Sequence, residues 1–172
     1  MRITITKPVL LIVEGIEDKF FFEALARDLA LQNIQVEAIG GKTQLAANLD
    51  QLPNAPGYVD ILETIGVIRD ADDNPSGAHD SVWNALRRTN LPTPKRSTQF
   101  ADGTPKTGIF IVPDVASTGS LENLCLASVQ DDVILKNCVN DYFACLATNN
   151  IQLPRELSKA KVQVFLAAIK PE

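Results

Sequence analysis

Two stretches of the chain carry residues able to act together chemically. They are Val9 to Asp18, V-L-L-I-V-E-G-I-E-D, and Ile61 to Asp72, I-L-E-T-I-G-V-I-R-D-A-D. Each is an apolar run that ends in acids: Glu14 and Asp18 close the first, Asp70 and Asp72 the second. A third run, Gly108 to Val112, is followed by Asp114. Carboxylates are hard oxygen donors. Several at one point make the kind of site that Mg²⁺ or Mn²⁺ takes, with water in the remaining coordination positions. Without a cation the same carboxylates repel one another, which raises some of their pKa values.

The elements that must position these acids follow from the runs themselves. Five apolar residues, Val9 to Val13, are too few for a helix and suit a strand covered on both faces, as in a parallel sheet. The acids then lie at the carboxyl edge, where open α/β sheets place their ligands. In extended chain Asp70 and Asp72 point to the same side. Right-handed crossovers bring Glu14, Asp70, Asp72 and Asp114 to one edge.

Between the strands, Asp18 to Leu31 has a helical period that turns Phe21, Phe22, Leu25 and Leu29 inward. Ile34 to Ile39 alternates as a second strand, and Gly40-Gly41 turns the chain into a helix from Lys42 to Leu52. Gly77 to Thr89 is a third helix with Val82, Ala85 and Leu86 inward. Asn90 to Thr107, with Pro92, Pro94, Gly103 and Pro105, reads as an insertion folded as a hairpin. Ser120 caps a helix whose first turn holds Glu122, and two more helices follow at about Asp131 to Thr148 and Pro154 to Ile169. The expected fold is α/β: a Rossmann-like, four-stranded, mainly parallel sheet flanked by helices. It forms a single domain over 1–172, with its core at about 8–126 and a carboxyl-terminal helical extension at about 131–170.

Composition narrows the chemistry. The chain has 172 residues, 45% of them apolar, and no apolar segment of membrane-spanning length. Arg2 and Lys7 precede an apolar run that stops at Glu14, so no signal peptide is expected. Cys125, Cys138 and Cys145 form no C-x-x-C pair, which suggests a reducing cytoplasm. Cys138 and Cys145, seven apart on a helix, read as small core residues. His79 has no triad partner and reads as a surface or capping residue. The Gly41-Lys42-Thr43 sequence is not a Walker loop, because the required glycine five residues earlier is Val36. A tight turn leading a helix amino terminus to the site edge is expected instead.

In this arrangement the chain resembles the Toprim family, the catalytic domain shared by topoisomerases, bacterial primases and the overcoming-lysogenisation-defect nucleases. The matching features are V-E-G-I-E-D with Glu14 after strand one and R-D-A-D with Asp70 and Asp72 after strand three, on a β-α-β-α-β-α-β pattern over about Val9 to Leu126. It is most similar to small stand-alone bacterial members and the nuclease branch, whose first motif reads E-x-x-x-D, as Glu14 and Asp18 do. A later G-x-L-E is matched by Gly119, Leu121 and Glu122.

The resemblance implies Mg²⁺- or Mn²⁺-dependent phosphodiester hydrolysis. Glu14, Asp18, Asp70 and Asp72 would surround one ion and Glu122 would serve a second; Glu14 could instead assist proton transfer as general acid or base. A lysine near the metals is implied as well, for which Lys42, Lys159 and Lys161 are candidates. The alternative reading is a non-catalytic Toprim-derived module that binds a metal or nucleotide and serves a protein partner.

A net charge of −5 excludes a surface that grips nucleic acid everywhere. One basic region stands out: Arg87, Arg88, Lys95, Arg96 and Lys106 against the single acid Asp102. It follows the D-x-D helix and suits tracking a DNA or RNA backbone, whereas base stacking would have only Phe100.

Overall fold

The computed structural model describes residues 3–129 and 131–169. Arg2, and position 170 at the end of the expected extension, lie outside them. The β-rich runs form β1 (Val9–Val13), β2 (Ile34–Ala38), β3 (Thr64–Asp70), β4 (Phe100–Ala101) and β5 (Lys106–Val112). They build one sheet in the order β2-β1-β3-β5-β4, parallel throughout except where the two residues of β4 pair antiparallel with β5. The fold is thus the expected mixed α/β class, with five strands rather than four. The extra strand is the hairpin arm of the proline-rich insertion, too short to show a period of its own.

Strand alternation decides the core. Leu10, Ile12, Ile65, Val67, Ile109 and Ile111 are buried on one face of the sheet. Helices α2 (Leu45–Gln51) and α3 (Pro75–Arg88) contribute to the same cluster through Leu45, Leu49, Ala78, Val82, Ala85 and Leu86. Each such aliphatic side chain contributes roughly 1.5–3 kcal/mol when taken fully out of water. Asn74 caps α3 by accepting from Gly77 N at 2.9 Å, and Pro75 takes the first helical position, where no N–H is required.

Helix α1 (Ile16–Asp28) packs against β1 and β2, but not by the face its sequence suggests. Lys19, Phe22 and Ala26 are half-buried, while Phe21, Leu25 and Leu29 are exposed. The reason is polar. Lys19 Nζ reaches Glu37 Oε2 on β2 at 2.9 Å, which turns that side of the helix toward the sheet.

The chain divides into two compact units, residues 1–118 and 119–172. The second consists of α4 (Leu121–Ser128), α5 (Val133–Thr148) and α6 (Leu157–Ala168) around a small core of Val139, Phe143 and Phe165. In α5 the inward stripe is Val139 and Phe143. Cys138 and Cys145 are therefore exposed rather than core residues, and Cys125 is half-buried. Among the described residues no helix is long and apolar enough to cross a membrane.

Candidate functional site at the carboxyl edge of the sheet

Glu14 directly follows the last residue of β1, and Gly15 begins the turn into α1 in an extended conformation. Asp18 closes that turn: its Oδ2 accepts from Gly15 N at 2.8 Å, a helix-capping contact. The backbone oxygen of Glu14 accepts from Gly41 N at 3.0 Å, which ties the Gly40-Gly41 turn to the end of β1. Both glycines have positive φ, 77° and 106°, a region that residues with a side chain rarely adopt. The turn delivers Lys42 to the start of a 3₁₀ turn, Lys42–Gln44, and its Nζ lies 2.9 Å from Asp72 Oδ2.

At the end of β3, Ala71 N donates to Val112 O at 2.8 Å, and Asp72 then takes a positive φ of 50°. The chain has left the strand by this point, so the two-residue alternation expected to align Asp70 with Asp72 does not extend to Asp72. Asp70 sits in register with Val112, and alternation sends it to the sheet face opposite Arg69.

Arg69 is the site residue that motif reading passes over. Its Nε lies 3.9 Å from Glu14 Oε2. Glu14 Oε2, Arg69 Nε and Arg69 Nη1 are all buried and make no hydrogen bond among the described residues. One signal in the sequence points to it: a charged residue inside the apolar strand T-I-G-V-I-R-D.

Burial raises the Glu14 pKa above the usual carboxylate value; Arg69 opposes this, the negative charge of Asp72 adds to it, Lys42 opposes it and Asp18 adds to it. The hydrogen bond to Asp72 raises the Lys42 pKa. A carboxyl group held toward its protonated form beside two cations is suited to exchanging a proton next to a bound anion.

The other acids are placed differently. Asp114 folds its own turn, accepting from Ala116 N at 2.6 Å, Ser117 N at 2.7 Å and Ser117 Oγ at 2.9 Å. The Ala116 bond leads the causes that lower its pKa. This carboxylate is committed locally. Glu122 stands in the first turn of α4 in the second unit, where its Oε2 accepts from Ser120 Oγ at 2.7 Å. Lys159 and Lys161 belong to α6, and Lys161 Nζ donates to Asn140 Oδ1 at 2.8 Å. His79 is half-buried inside α3 rather than at its cap, with Nδ1 3.6 Å from Asp80 Oδ1. Among the described residues, no three His, Cys, Asp or Glu side chains stand together as a group able to hold a metal ion.

The basic residues separate into two sets. Thr98 N donates to Ile109 O at 2.8 Å, and Ile111 N to Ser97 Oγ at 3.4 Å, so the insertion runs beside β5 and carries Lys95 and Arg96 toward the carboxyl edge. Arg87 and Arg88 end α3, and Lys106 begins β5, all at the opposite edge. The Arg87 guanidinium lies over the Trp83 ring, 5.5 Å from its centroid.

Residues 8–172 match the model of a family described as proteins of unknown function, DUF3226. The chain belongs to this family. The match begins just before β1 and so takes in both acid-bearing strand ends. No curated protein and no solved structure matches the chain.

Proposed function

We propose that the carboxyl edge of the sheet carries out Mg²⁺- or Mn²⁺-dependent phosphodiester hydrolysis on DNA or RNA, with Glu14 as the proton-transfer group. The observation that carries this reading is the Glu14–Arg69–Lys42–Asp72 arrangement. A half-buried carboxyl with a raised pKa lies beside two cationic side chains, at the point where a parallel sheet offers its ligand site. The Toprim-like order of E-G-x-x-D and D-x-D supports the same chemistry.

The acids at this edge do not form a complete ion-holding group among the described residues, and two of them offer donor atoms to a hard cation. Glu14 Oε2 lacks a hydrogen-bond donor, and Asp72 already holds a cationic group, the Lys42 ammonium. Glu14 and Asp72 are the residues that would offer donors to the ion, with Asp18 beside Glu14, whereas Asp70 lies on the sheet face opposite Arg69. When bound, the ion would supply neutralisation of phosphate charge and a water of lowered pKa. The chain's own residues do the rest. Lys42 offers its half-exposed ammonium to a phosphate oxygen, Arg69 holds Glu14 by charge, and Glu14 accepts or returns the proton. Lys95 and Arg96 receive the backbone of the polynucleotide.

The second reading is a non-catalytic module in which this edge binds a cation or nucleotide for a protein partner. The observation favouring it is that no three acids are gathered as an ion-holding group among the described residues. The unpaired cysteines fit a reducing, cytoplasmic setting under either reading. The deciding experiment is nicking of plasmid and of single strands with Mg²⁺ or Mn²⁺, by the wild-type protein and by Asp70→Ala. Hydrolysis lost in the variant supports the enzyme, and residual activity equal in both ends that claim. Calorimetric cation binding without turnover on any polynucleotide selects the module.

A further inference from the structure

We infer that the outward face of α1 is a docking surface for a basic amphipathic helix of a partner protein. The inference is independent of the chemistry assigned to the carboxyl edge. Ile16, Phe20, Phe21, Leu25 and Leu29 are between 37% and 61% exposed, all on this one helix. An apolar patch of this kind on a folded chain marks an interaction surface. The fold holds it outward. Lys19 Nζ lies 2.9 Å from Glu37 Oε2 and 3.8 Å from Glu23 Oε1, an anchor that keeps the other side of the helix against β2. Phe22, half-buried, meets Phe21 edge to face with ring centroids 5.1 Å apart, which restricts the Phe21 ring before any partner arrives. Phe21, Ala24, Leu25, Arg27 and Asp28 line an open groove of about 440 Å³ along the face.

Charge selects the occupant. Glu17, Phe21, Ala24 and Asp28, all exposed, follow one another at helical spacing, so an acid stands at each end of the line, about 16 Å apart along the axis. A second copy is disfavoured: antiparallel pairing on this line sets Glu17 against a second Asp28, and parallel pairing sets each acid against its own equivalent. An anionic membrane is disfavoured too. Helices that lie on such membranes carry Lys and Arg beside their apolar face, whereas the exposed side of α1 carries Glu17, Glu23 and Asp28 against Arg27. What fits is a helix whose apolar stripe meets Phe20, Phe21 and Leu25 and which sets a Lys or Arg opposite each of Glu17 and Asp28.

The test uses two labelled amphipathic helical peptides with the same leucine stripe, one with lysine and one with glutamate at the positions that would face Glu17 and Asp28. Each is titrated with the full chain by fluorescence anisotropy. The lysine peptide should bind the wild type about tenfold more tightly than the glutamate peptide. Phe21→Ser, and Phe20→Ser at the more exposed position, should each weaken that binding about tenfold. Glu17→Lys with Asp28→Lys should reverse the preference. Circular dichroism of these surface variants verifies the fold. Equal binding of the two peptides, lysine-peptide binding unchanged in both serine variants, or no binding of either peptide overturns the inference. So does a dimer in sedimentation equilibrium, or attachment to phosphatidylglycerol vesicles, that Phe21→Ser abolishes; the face would then belong to a second copy or to a membrane.

Discussion

Arg69 Nε and Glu14 Oε2 face each other at 3.9 Å, both buried and neither hydrogen-bonded among the described residues. The pair is close enough to attract and too far apart to form a hydrogen bond. Burial therefore outweighs the attraction, and the Glu14 pKa is raised. A raised folded-state pKa means that the folded protein binds this proton more tightly than the unfolded chain. Ionised Glu14 accordingly costs stability above the raised pKa, and the cost disappears as pH falls below the unfolded value.

Glu14→Gln removes that cost while keeping the shape. Thermal melts should show the variant with a higher Tm than wild type at pH 8, the gap closing as pH falls to about 4. A gap that is constant with pH, or that widens in acid, contradicts the raised pKa.

The split of the basic residues predicts unequal effects on nucleic-acid binding. Lys95→Ala with Arg96→Ala removes charge at the acid edge, so the slope of log K against log salt should fall by about 1–2. Arg87→Ala with Arg88→Ala, at the opposite edge, should change it little. Fluorescence anisotropy of a labelled polynucleotide across a salt series measures both. The reverse ranking would move the binding surface to the other side of the sheet.

Gly57 is a structural requirement remote from the chemistry. Its φ is 85°, and a Cβ there would lie 2.2 Å from the backbone oxygen of Ile5. Gly57→Ala should cost about 2 kcal/mol or more, lowering Tm by about 5 °C. Gly40→Ala carries the conformational cost without the clash, since nothing lies within 4 Å of its Cβ. Its penalty should be about 1 kcal/mol. Equal melts for the two variants would show that the contact with Ile5 relaxes freely.

Much of the fold is legible in local pattern because buried strands are written as apolar runs. The limits of β1 can be read directly from V-L-L-I-V, and the acids at the ends of β1 and β3 follow from it. What local pattern misses depends on partners distant in sequence. The start of β3 moves from Ile61 to Thr64 because Ile61 N and Leu62 N bond back to Gly57 O, which holds those residues in a turn. The rotation of α1 depends on Glu37, a strand away from Lys19. Asp114 reads as a site acid until its turn is seen to use both carboxylate oxygens. Arg69 is visible only as an anomaly, a charge in an apolar strand, and the reason for it appears once Glu14 is beside it.

The most direct measurement of the central claim is the single-turnover cleavage rate of labelled single-stranded and duplex polynucleotides in Mg²⁺ or Mn²⁺, compared between wild type and Glu14→Gln. With Glu14 as the proton-transfer group, the variant should be slower by about 100-fold or more, while substrate affinity stays close to wild type. Cleavage by Glu14→Gln at the wild-type rate would contradict the account.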